Sequence, residues 1–304
     1  MKNRTDWFKE AGYGIFVHWT TNSLDKDGNK KEYFKAVEDF DIDTFVTQIK
    51  SSGAKFLFIT TSHSQMRLPF PLKELDEIVP NHTAKRDLIM EIANRLEKEN
   101  IRLMLYFNGD GSEDIEWQSA TGFKTDHQRH AQYCYDVTRA ISLKYGTKIH
   151  GWWIDCCYEP DVCKGTGVRY DYEKYASALR AGNPDSIIAF NFRGTCGWGS
   201  TWGRGIADFQ AGEENSLDFL PKGRFSGEGD TQWFALCWMD EFWVHEKHGV
   251  PSPVHENERV LEYVRKVKEN DGVFAYNVAL YQEGHISDKT CEQLLWLKQH
   301  GIED

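Results

Sequence analysis

Short apolar runs flanked by turn residues alternate, over nearly the whole chain, with longer segments in which apolar residues recur every three or four positions. The short runs predict buried strands, and the longer segments predict amphipathic helices. The predicted strands are Tyr13–Trp19, Lys55–Thr60, Arg102–Asn108, Gly151–Asp155, Ile187–Phe192, Phe234–Met239 and Val273–Val278. The predicted helices are Asp41–Ser52, Lys85–Glu99, His127–Lys144, Tyr172–Ala181, Asn257–Lys268 and Asp288–Gln299.

This alternation favours an α/β fold of parallel βαβ units over a sandwich, although a doubly wound sheet would give the same local pattern. Roughly eight units fit into the chain, and polar residues end many strands, so we expect a (β/α)8 TIM-type barrel. The segment Ile206–His245 obscures the pattern, so the fifth to seventh units are expected to be irregular. No linker interrupts the chain, which predicts a single domain over residues 1–304.

Asp155 ends the apolar run Ile149–Ile154. A carboxylate at the C-terminal end of a buried strand is where β/α barrels place catalytic groups, so Asp155 is a candidate nucleophile. The alternative is a helix N-cap. His18 and His63 end the first two predicted strands and suit hydrogen bonding to a substrate hydroxyl, because imidazole both donates and accepts. Either histidine alone could equally be a buried structural residue.

The chain is rich in aromatic residues, with 14% Phe, Trp and Tyr and 11 Trp. Aromatic faces can stack on the apolar faces of sugars, although core packing is the alternative for any single tryptophan. Trp198, Trp202 and Trp233 lie among glycines in a predicted loop, where large apolar groups would otherwise be exposed. Such clusters usually mark ligand sites, so Trp198 and Trp202 are candidate substrate contacts.

Charge and hydropathy exclude several partners. The net charge of −11, without a cluster of basic residues, argues against a nucleic-acid partner. The sequence contains no apolar stretch of 18 residues, so no membrane span is predicted. The polar segment Met1–Asp6 does not read as a signal peptide, so a cytoplasmic location is expected unless a leader was removed. The sequence leaves the oligomeric state open.

The seven cysteines have no C-x-x-C pair, which indicates reduced thiols. A zinc site built from Cys156, Cys157, Cys163 and Cys196 is the alternative, but their spacing is unlike that of structural zinc sites. We therefore expect no metal and no cofactor.

Seven segments, in the same order along the chain, resemble glycoside hydrolase family 29, the α-L-fucosidases. The opening W-F-K-E-A-G-Y-G-I-F-V-H-W and the strand motif G-W-W-I-D are similar to the family's first strand and nucleophile strand. The other segments are Gly53–His63, Lys85–Met90 with Leu105 and Tyr106, Asn191–Gly194, Asp208–Glu213 and Gly272–Ser287. The resemblance implies a barrel enzyme that hydrolyses a fucosylated or related glycan.

Applied to this chain, the resemblance implies Asp155 as nucleophile and Glu213 as acid/base, with Glu214 open as an alternative because the loop register is uncertain. The expected substrate-binding residues are His18, Trp19, Glu32, His63, Tyr106, Trp153, Arg193, Trp198 and Trp202. For Glu32, a charged residue opening a helix is an equal alternative. Ser64 stands where the family has a second histidine, which makes the exact sugar less secure than the chemistry.

We therefore expect a retaining exo-glycoside hydrolase, specifically an α-L-fucosidase, without the C-terminal β-sandwich common in the family. The alternatives are an α-galactosidase or another exo-glycosidase on a related sugar, and a catalytically inactive carbohydrate-binding barrel. A metal-dependent hydrolase using His18, His63 and Asp155 is disfavoured, because such barrels usually begin with two histidines on the first strand.

Overall fold

Seven parallel strands form one sheet in the order β5-β4-β3-β2-β1-β7-β6. The computed structural model describes residues 3–157, 168, 170–192, 205–214, 216–226 and 229–303. The strands are β1 (Tyr13–Val17), β2 (Phe56–Thr60), β3 (Arg102–Asn108), β4 (Ile149–Asp155), β5 (Ile187–Phe190), β6 (Phe234–Trp238) and β7 (Val273–Val278). Each one coincides with a predicted strand to within a few residues.

Helices follow most strands, as the hydrophobic periodicity predicts. They are α1 (Asp6–Ala11), α2 (Tyr33–Asp39), α3 (Ile42–Ser51), α4 (Lys73–Asp76), α5 (Leu88–Lys98), α6 (Ile115–Thr121), α7 (His127–Tyr145), α8 (Tyr172–Leu179), α9 (Asn257–Glu269) and α10 (Asp288–Gln299). Aspartate caps begin several of them: Asp41, Asp87 and Asp171 each accept a hydrogen bond from the backbone N–H three residues on. The six predicted helices are confirmed, and the four short ones were not predicted.

The two faces of the sheet pack differently. One face, with residues such as Tyr13, Ile15 and Leu57, packs against the helices. Alternate residues of the same strands, such as Phe16 and Phe58, point to the opposite face and form a second apolar cluster. This separation follows from the two-residue period of side chains along a strand.

A short segment lies between the two edge strands. Asp208 N–H donates to Ile188 O of β5 at 2.8 Å, and Glu214 N–H donates to Leu236 O of β6 at 2.7 Å. The same segment, residues 208–214, therefore contacts both edges of the sheet, which must curl for the edges to approach so closely. The arrangement is consistent with a TIM-like barrel.

Helix α1 covers the end of the sheet at which the strands begin. Its Phe8 is fully buried and its ring lies 4.8 to 5.6 Å from the rings of Phe56, Phe209 and Phe234. The C-terminal strand ends are thus left as the open end. Within the described ranges, every helix is too short or too polar to cross a membrane.

Candidate active site

The C-terminal ends of β3 and β4, together with Asn191 just beyond β5, bring polar side chains around Asp155. Tyr106 Oη donates a hydrogen bond to Asp155 Oδ2 at 2.5 Å, and Asn191 Nδ2 donates to Oδ1 at 2.9 Å. The N–H of Cys156 also donates to Oδ1, at 2.8 Å. Tyr106 and Asn191 are completely buried, so these hydrogen bonds fix the orientation of the carboxylate.

A second carboxylate reaches the same amide. Asn191 Nδ2 donates to Glu213 Oε2 at 2.7 Å as well as to Asp155. The two acceptor oxygens can therefore be no further apart than the sum of those two distances. Trp153 helps to hold Glu213 near Asp155, because its Nε1 donates to the carbonyl oxygen of Ala211 at 2.9 Å and connects β4 with the 208–214 segment.

Glu213 and Glu214 point in opposite directions. Glu213 pairs with Leu236 as in a parallel ladder, and the neighbouring Phe209 and Ala211 belong to the inner apolar cluster. Glu213 lines the same cavity as Leu236, whereas Glu214 lies close to Cys237, which belongs to the cluster packed against the helices. Glu214 is 5% exposed on that outer side, where its charge raises the pKa of Cys237 in addition to the effect of burial.

His18 is held in one tautomer. The amide of Asn277 donates to the carbonyl oxygens of Trp243 at 3.0 Å and Phe242 at 3.3 Å, so its oxygen is left to accept. His18 Nδ1, 2.7 Å from Asn277 Oδ1, must therefore carry the proton. Burial and, to a lesser extent, nearby His63 lower the pKa of His18, the hydrogen bond with Asn277 opposes the shift, and the resulting pKa is about 3. A neutral His18 leaves Nε2 free to accept a hydrogen bond.

His63 lies beside His18 and is also neutral at ordinary pH. Burial lowers its pKa, although the charges of Asp155, Glu246 and Glu113 oppose that effect. Its ring stacks on Tyr106 at 5.9 Å between centroids. The pocket thus combines two uncharged imidazoles with two carboxylates.

The candidate pocket is a cavity of about 60 Å³ at the open end of the sheet. Its lining residues are His18, His63, Trp153, Asp155, Glu213, Leu236 and Trp243. Five of the residues predicted from the sequence therefore line one cavity. Tyr106 is not in the lining but donates a hydrogen bond to Asp155, which is.

Other predicted residues lie elsewhere. Trp19 is 1% exposed and packs against Tyr33 and Phe40 on the helix side of the sheet, so it is a core residue rather than part of the pocket lining. Glu32 is exposed and caps α2 by accepting from Lys35 N–H at 2.9 Å. Trp233, from the tryptophan cluster, is buried in the helix-side core. Arg193, Trp198 and Trp202 fall outside the described residues.

Four further residues contribute to the site but were not among the predicted site residues: Asn191, Asn277, Trp243 and Asp110. Asn191 and Asn277 could have been found from the sequence, because each is a polar residue at or near the end of a predicted strand. Nothing in the local sequence singled out Trp243. Asp110 is 4% exposed, and burial, aided by the charge of Asp155 and opposed by the Cys156 thiol, raises its pKa to about 7. Its proximity to Asp155 follows from the pairing of β3 with β4.

Comparison with known proteins decides the family. A sequence model described as Alpha-L-fucosidase matches residues 29–301, which is most of the chain. The chain belongs to the alpha-L-fucosidase family. The tissue alpha-L-fucosidase of Homo sapiens is 22% identical over 351 aligned residues, covering 97% of this chain and 68% of the relative. That of Mus musculus is 21% identical over 350 residues, covering 97% and 70%.

Solved structures of alpha-L-fucosidases share the fold. Isoenzyme 1 from Paenibacillus thiaminolyticus has a TM-score of 0.71 at 18% identity, covering 98% of this chain and 75% of that one. AlfC from Lactobacillus casei, in complex with alpha-L-fucose product, has a TM-score of 0.69 at 17% identity and 98% coverage of both chains. The family-29 resemblance predicted from the motifs is confirmed, and this alpha-L-fucosidase family member is a glycoside hydrolase with a carbohydrate substrate.

Proposed function

We propose that the protein is a retaining exo-α-L-fucosidase in which Asp155 is the nucleophile and Glu213 is the acid/base. The observation that carries this proposal is the contact of Asn191 Nδ2 with both carboxylates, at 2.9 and 2.7 Å. Retaining glycosidases hold their two carboxyl groups about 5 to 5.5 Å apart, whereas inverting enzymes need ~6.5 to 9.5 Å to fit a water molecule. One bridging amide favours the shorter spacing.

In the first step, Asp155 attacks the anomeric carbon while Glu213 protonates the departing glycosidic oxygen. A glycosyl ester on Asp155 results, and the aglycone leaves as an alcohol. In the second step, Glu213 takes a proton from water, which attacks the same carbon and releases Asp155. The outer position of Glu214 supports the assignment of the acid/base role to Glu213.

The pocket supports recognition of one terminal sugar. His18 Nε2 is an acceptor for a sugar hydroxyl, and the tryptophan rings of Trp153 and Trp243 offer apolar faces to the C–H groups of the ring. The small cavity suits an exo mode of action. In this proposal the 208–214 segment completes an eight-membered barrel within a single domain.

The test is hydrolysis of 4-nitrophenyl α-L-fucoside and α-D-galactoside by the wild-type protein and its variants, with and without azide. Asp155→Ala and Glu213→Gln should each lose roughly 10²- to 10⁴-fold in rate, while Glu214→Gln keeps the rate of a folded control. Azide should rescue Glu213→Gln with a product of retained configuration, and Asp155→Ala with one of inverted configuration.

Two outcomes contradict the proposal separately. Full activity of Asp155→Ala, or an acid/base phenotype in Glu214→Gln instead of Glu213→Gln, would show that the residues are misassigned. Cleavage of the galactoside rather than the fucoside by the wild-type protein would leave the mechanism intact and refute the sugar specificity.

A further inference from the structure

A cluster of donor atoms lies outside the active site, where the chain that follows β2 meets the chain that follows β3. His82 Nε2 lies 3.2 Å from Asp114 Oδ2 and 3.6 Å from Glu116 Oε2. One ligand atom from each of the three residues lies within 4.8 Å of the others, and no other such group occurs among the described residues. His82 and Asp114 are buried, while Glu116 is exposed.

In the neutral ring of His82, Nε2 would be an acceptor that faces only other acceptors. Its Nδ1 lies 3.0 Å from the carbonyl oxygen of Pro80, which can only accept, so Nδ1 carries a proton. If the ring is neutral, the lone pair on Nε2 faces the carboxylates of Asp114 and Glu116, which have no proton to offer when ionised. Two occupants would remove this conflict. One is a second ring proton, since the contact with Asp114 outweighs burial and raises the pKa of His82, and the other is a metal ion.

The position of Glu116 is the feature that a metal ion explains and a ring proton does not. A single proton on Nε2 can be shared with Asp114, whereas the oxygen of Glu116, at 3.6 Å, is beyond hydrogen-bonding distance. Glu116 is nevertheless turned towards the same nitrogen, although its side chain is largely exposed and could extend into solvent. A divalent ion would neutralise both carboxylates at once.

The spacing of the donor atoms also fits such an ion. Zn–N and Zn–O bonds of ~2.0 to 2.2 Å place the ligands of a tetrahedral site roughly 3.3 to 3.6 Å apart. The observed separations from His82 Nε2 are 3.2 and 3.6 Å. The outer contacts are of the kind that orient metal ligands: Pro80 fixes the histidine, and the N–H groups of Met66 and Trp117 donate to Asp114 at 3.1 and 3.0 Å.

We propose that His82, Asp114 and Glu116 bind one divalent transition-metal ion of the Zn²⁺ type, with solvent completing the coordination. One nitrogen and two carboxylate donors suit Zn²⁺ better than Mg²⁺, which prefers oxygen ligands alone. The ion would join the two loops that border the candidate active site. Met66 and Asp114 already connect these loops, and Glu113 N–H donates to Ser64 O at 2.7 Å beside His63.

The test measures metal binding and does not depend on catalysis. The full chain, stripped with a chelator, is titrated calorimetrically with Zn²⁺ and separately with Mg²⁺, and its melting temperature is recorded with and without Zn²⁺. We expect one Zn²⁺ per chain, no matching response to Mg²⁺, and a higher melting temperature with Zn²⁺. Glu116→Gln should weaken Zn²⁺ binding at least tenfold, whereas Glu74→Gln, an exposed control on α4, should leave it unchanged.

Two results would overturn the proposal. The first is the absence of stoichiometric Zn²⁺ binding to the wild-type chain, which would assign the cluster to a protonated histidine and its carboxylates. The second is Zn²⁺ binding of equal strength in wild type and Glu116→Gln, which would place the ion elsewhere. Glu116 is exposed, so Glu116→Gln is expected to fold, even if a variant at the buried His82, such as His82→Asn, does not. Neither result depends on sugar hydrolysis.

Discussion

At the scale of single residues, the candidate active site depends on side chains that hold other side chains. Asn191 contacts both proposed catalytic carboxylates, and Asn277 sets the tautomer of His18. Neither asparagine can serve as an acid or a base. Their contribution is to orient groups that can, which is a role that residue type alone does not reveal.

Replacing Asn191 with alanine should lower kcat. The change removes hydrogen bonds to Asp155 and Glu213, and a hydrogen bond to a charged group contributes about 1.5 to 3 kcal/mol, so we expect a loss of roughly 10- to 100-fold. The measurement is kcat on 4-nitrophenyl α-L-fucoside, with Asn270→Ala on the exposed end of α9 as control. An unchanged kcat in a folded Asn191→Ala protein would contradict the bridging role.

His18 should make the free energy of unfolding depend on pH. Its pKa is about 3 in the folded protein because of burial, against about 6.5 when unfolded, so the unfolded state binds the extra proton between these values. Stability should therefore fall as the pH is lowered from about 6.5 towards 3, by up to about 1.4 kcal/mol per pH unit.

The check is urea unfolding of wild type and His18→Gln over this pH range. The variant should show a flatter dependence, because its side chain does not titrate. His248→Gln, at an exposed histidine with no part in the pocket, should retain the wild-type slope. Parallel slopes for wild type and His18→Gln would refute the prediction.

At the scale of elements, the direction of Glu213 is set by the backbone of the 208–214 segment. Leu236 N–H donates to Gly212 O, and Glu214 N–H donates to Leu236 O, both at 2.7 Å. These two bonds fix the register, and a shift of one residue would exchange Glu213 with Glu214. Gly212 has a φ of +60°, and a Cβ there would lie 2.0 Å from Phe234 O.

We therefore expect Gly212→Ala to reduce activity strongly, by about 10²-fold or more, because displacement of Glu213 removes the general acid catalysis that we propose for it. Gly205→Ala is the matched control, since Gly205 also has a positive φ, of +82°, but its would-be Cβ has no heavy atom of the described residues within 4 Å. The measurement is kcat/KM on the aryl fucoside for both variants. Equal losses would mean that backbone strain alone, and not the contact with β6, accounts for the effect.

The elements also show what the sequence could predict. Long runs with a clear period, such as those of β3 and α7, were located to within a few residues. Helices of four to seven residues, such as α4 and α6, are too short for a helical period to show. The choice between Glu213 and Glu214 could not be made, because it depends on hydrogen bonds to β6 that lie more than 20 residues away in the chain.

At the scale of the whole molecule, the two ends of the sheet have separate tasks. The C-terminal strand ends carry the candidate active site, and Phe8 fills the opposite end by packing against Phe56, Phe209 and Phe234. This division is the usual one in β/α barrels, where the N-terminal face contributes stability. The motifs predicted the active end, whereas nothing in the short segment α1 indicated that it covers the other.

Phe8→Ala should destabilise the protein by about 3 to 5 kcal/mol, because it leaves a cavity among fully buried rings. Urea unfolding measures this change, and Phe225→Ala, at a ring that is 37% exposed, should cost much less. Without denaturant, kcat of Phe8→Ala should stay close to that of the wild type. A large fall in kcat for the folded variant would show that the two ends are not independent.

The pairing of β1 with β7 has a consequence for how the protein is made. A ribosome releases β1 early and β7 only after most of the chain has been synthesised. Until then, the backbone groups on the edge of β1 that faces β7 lack the strand with which they pair in the folded protein. An unpaired strand edge can template wrong associations between growing chains. Slow synthesis between these strands should therefore increase the demand for chaperones in the cell that produces this protein.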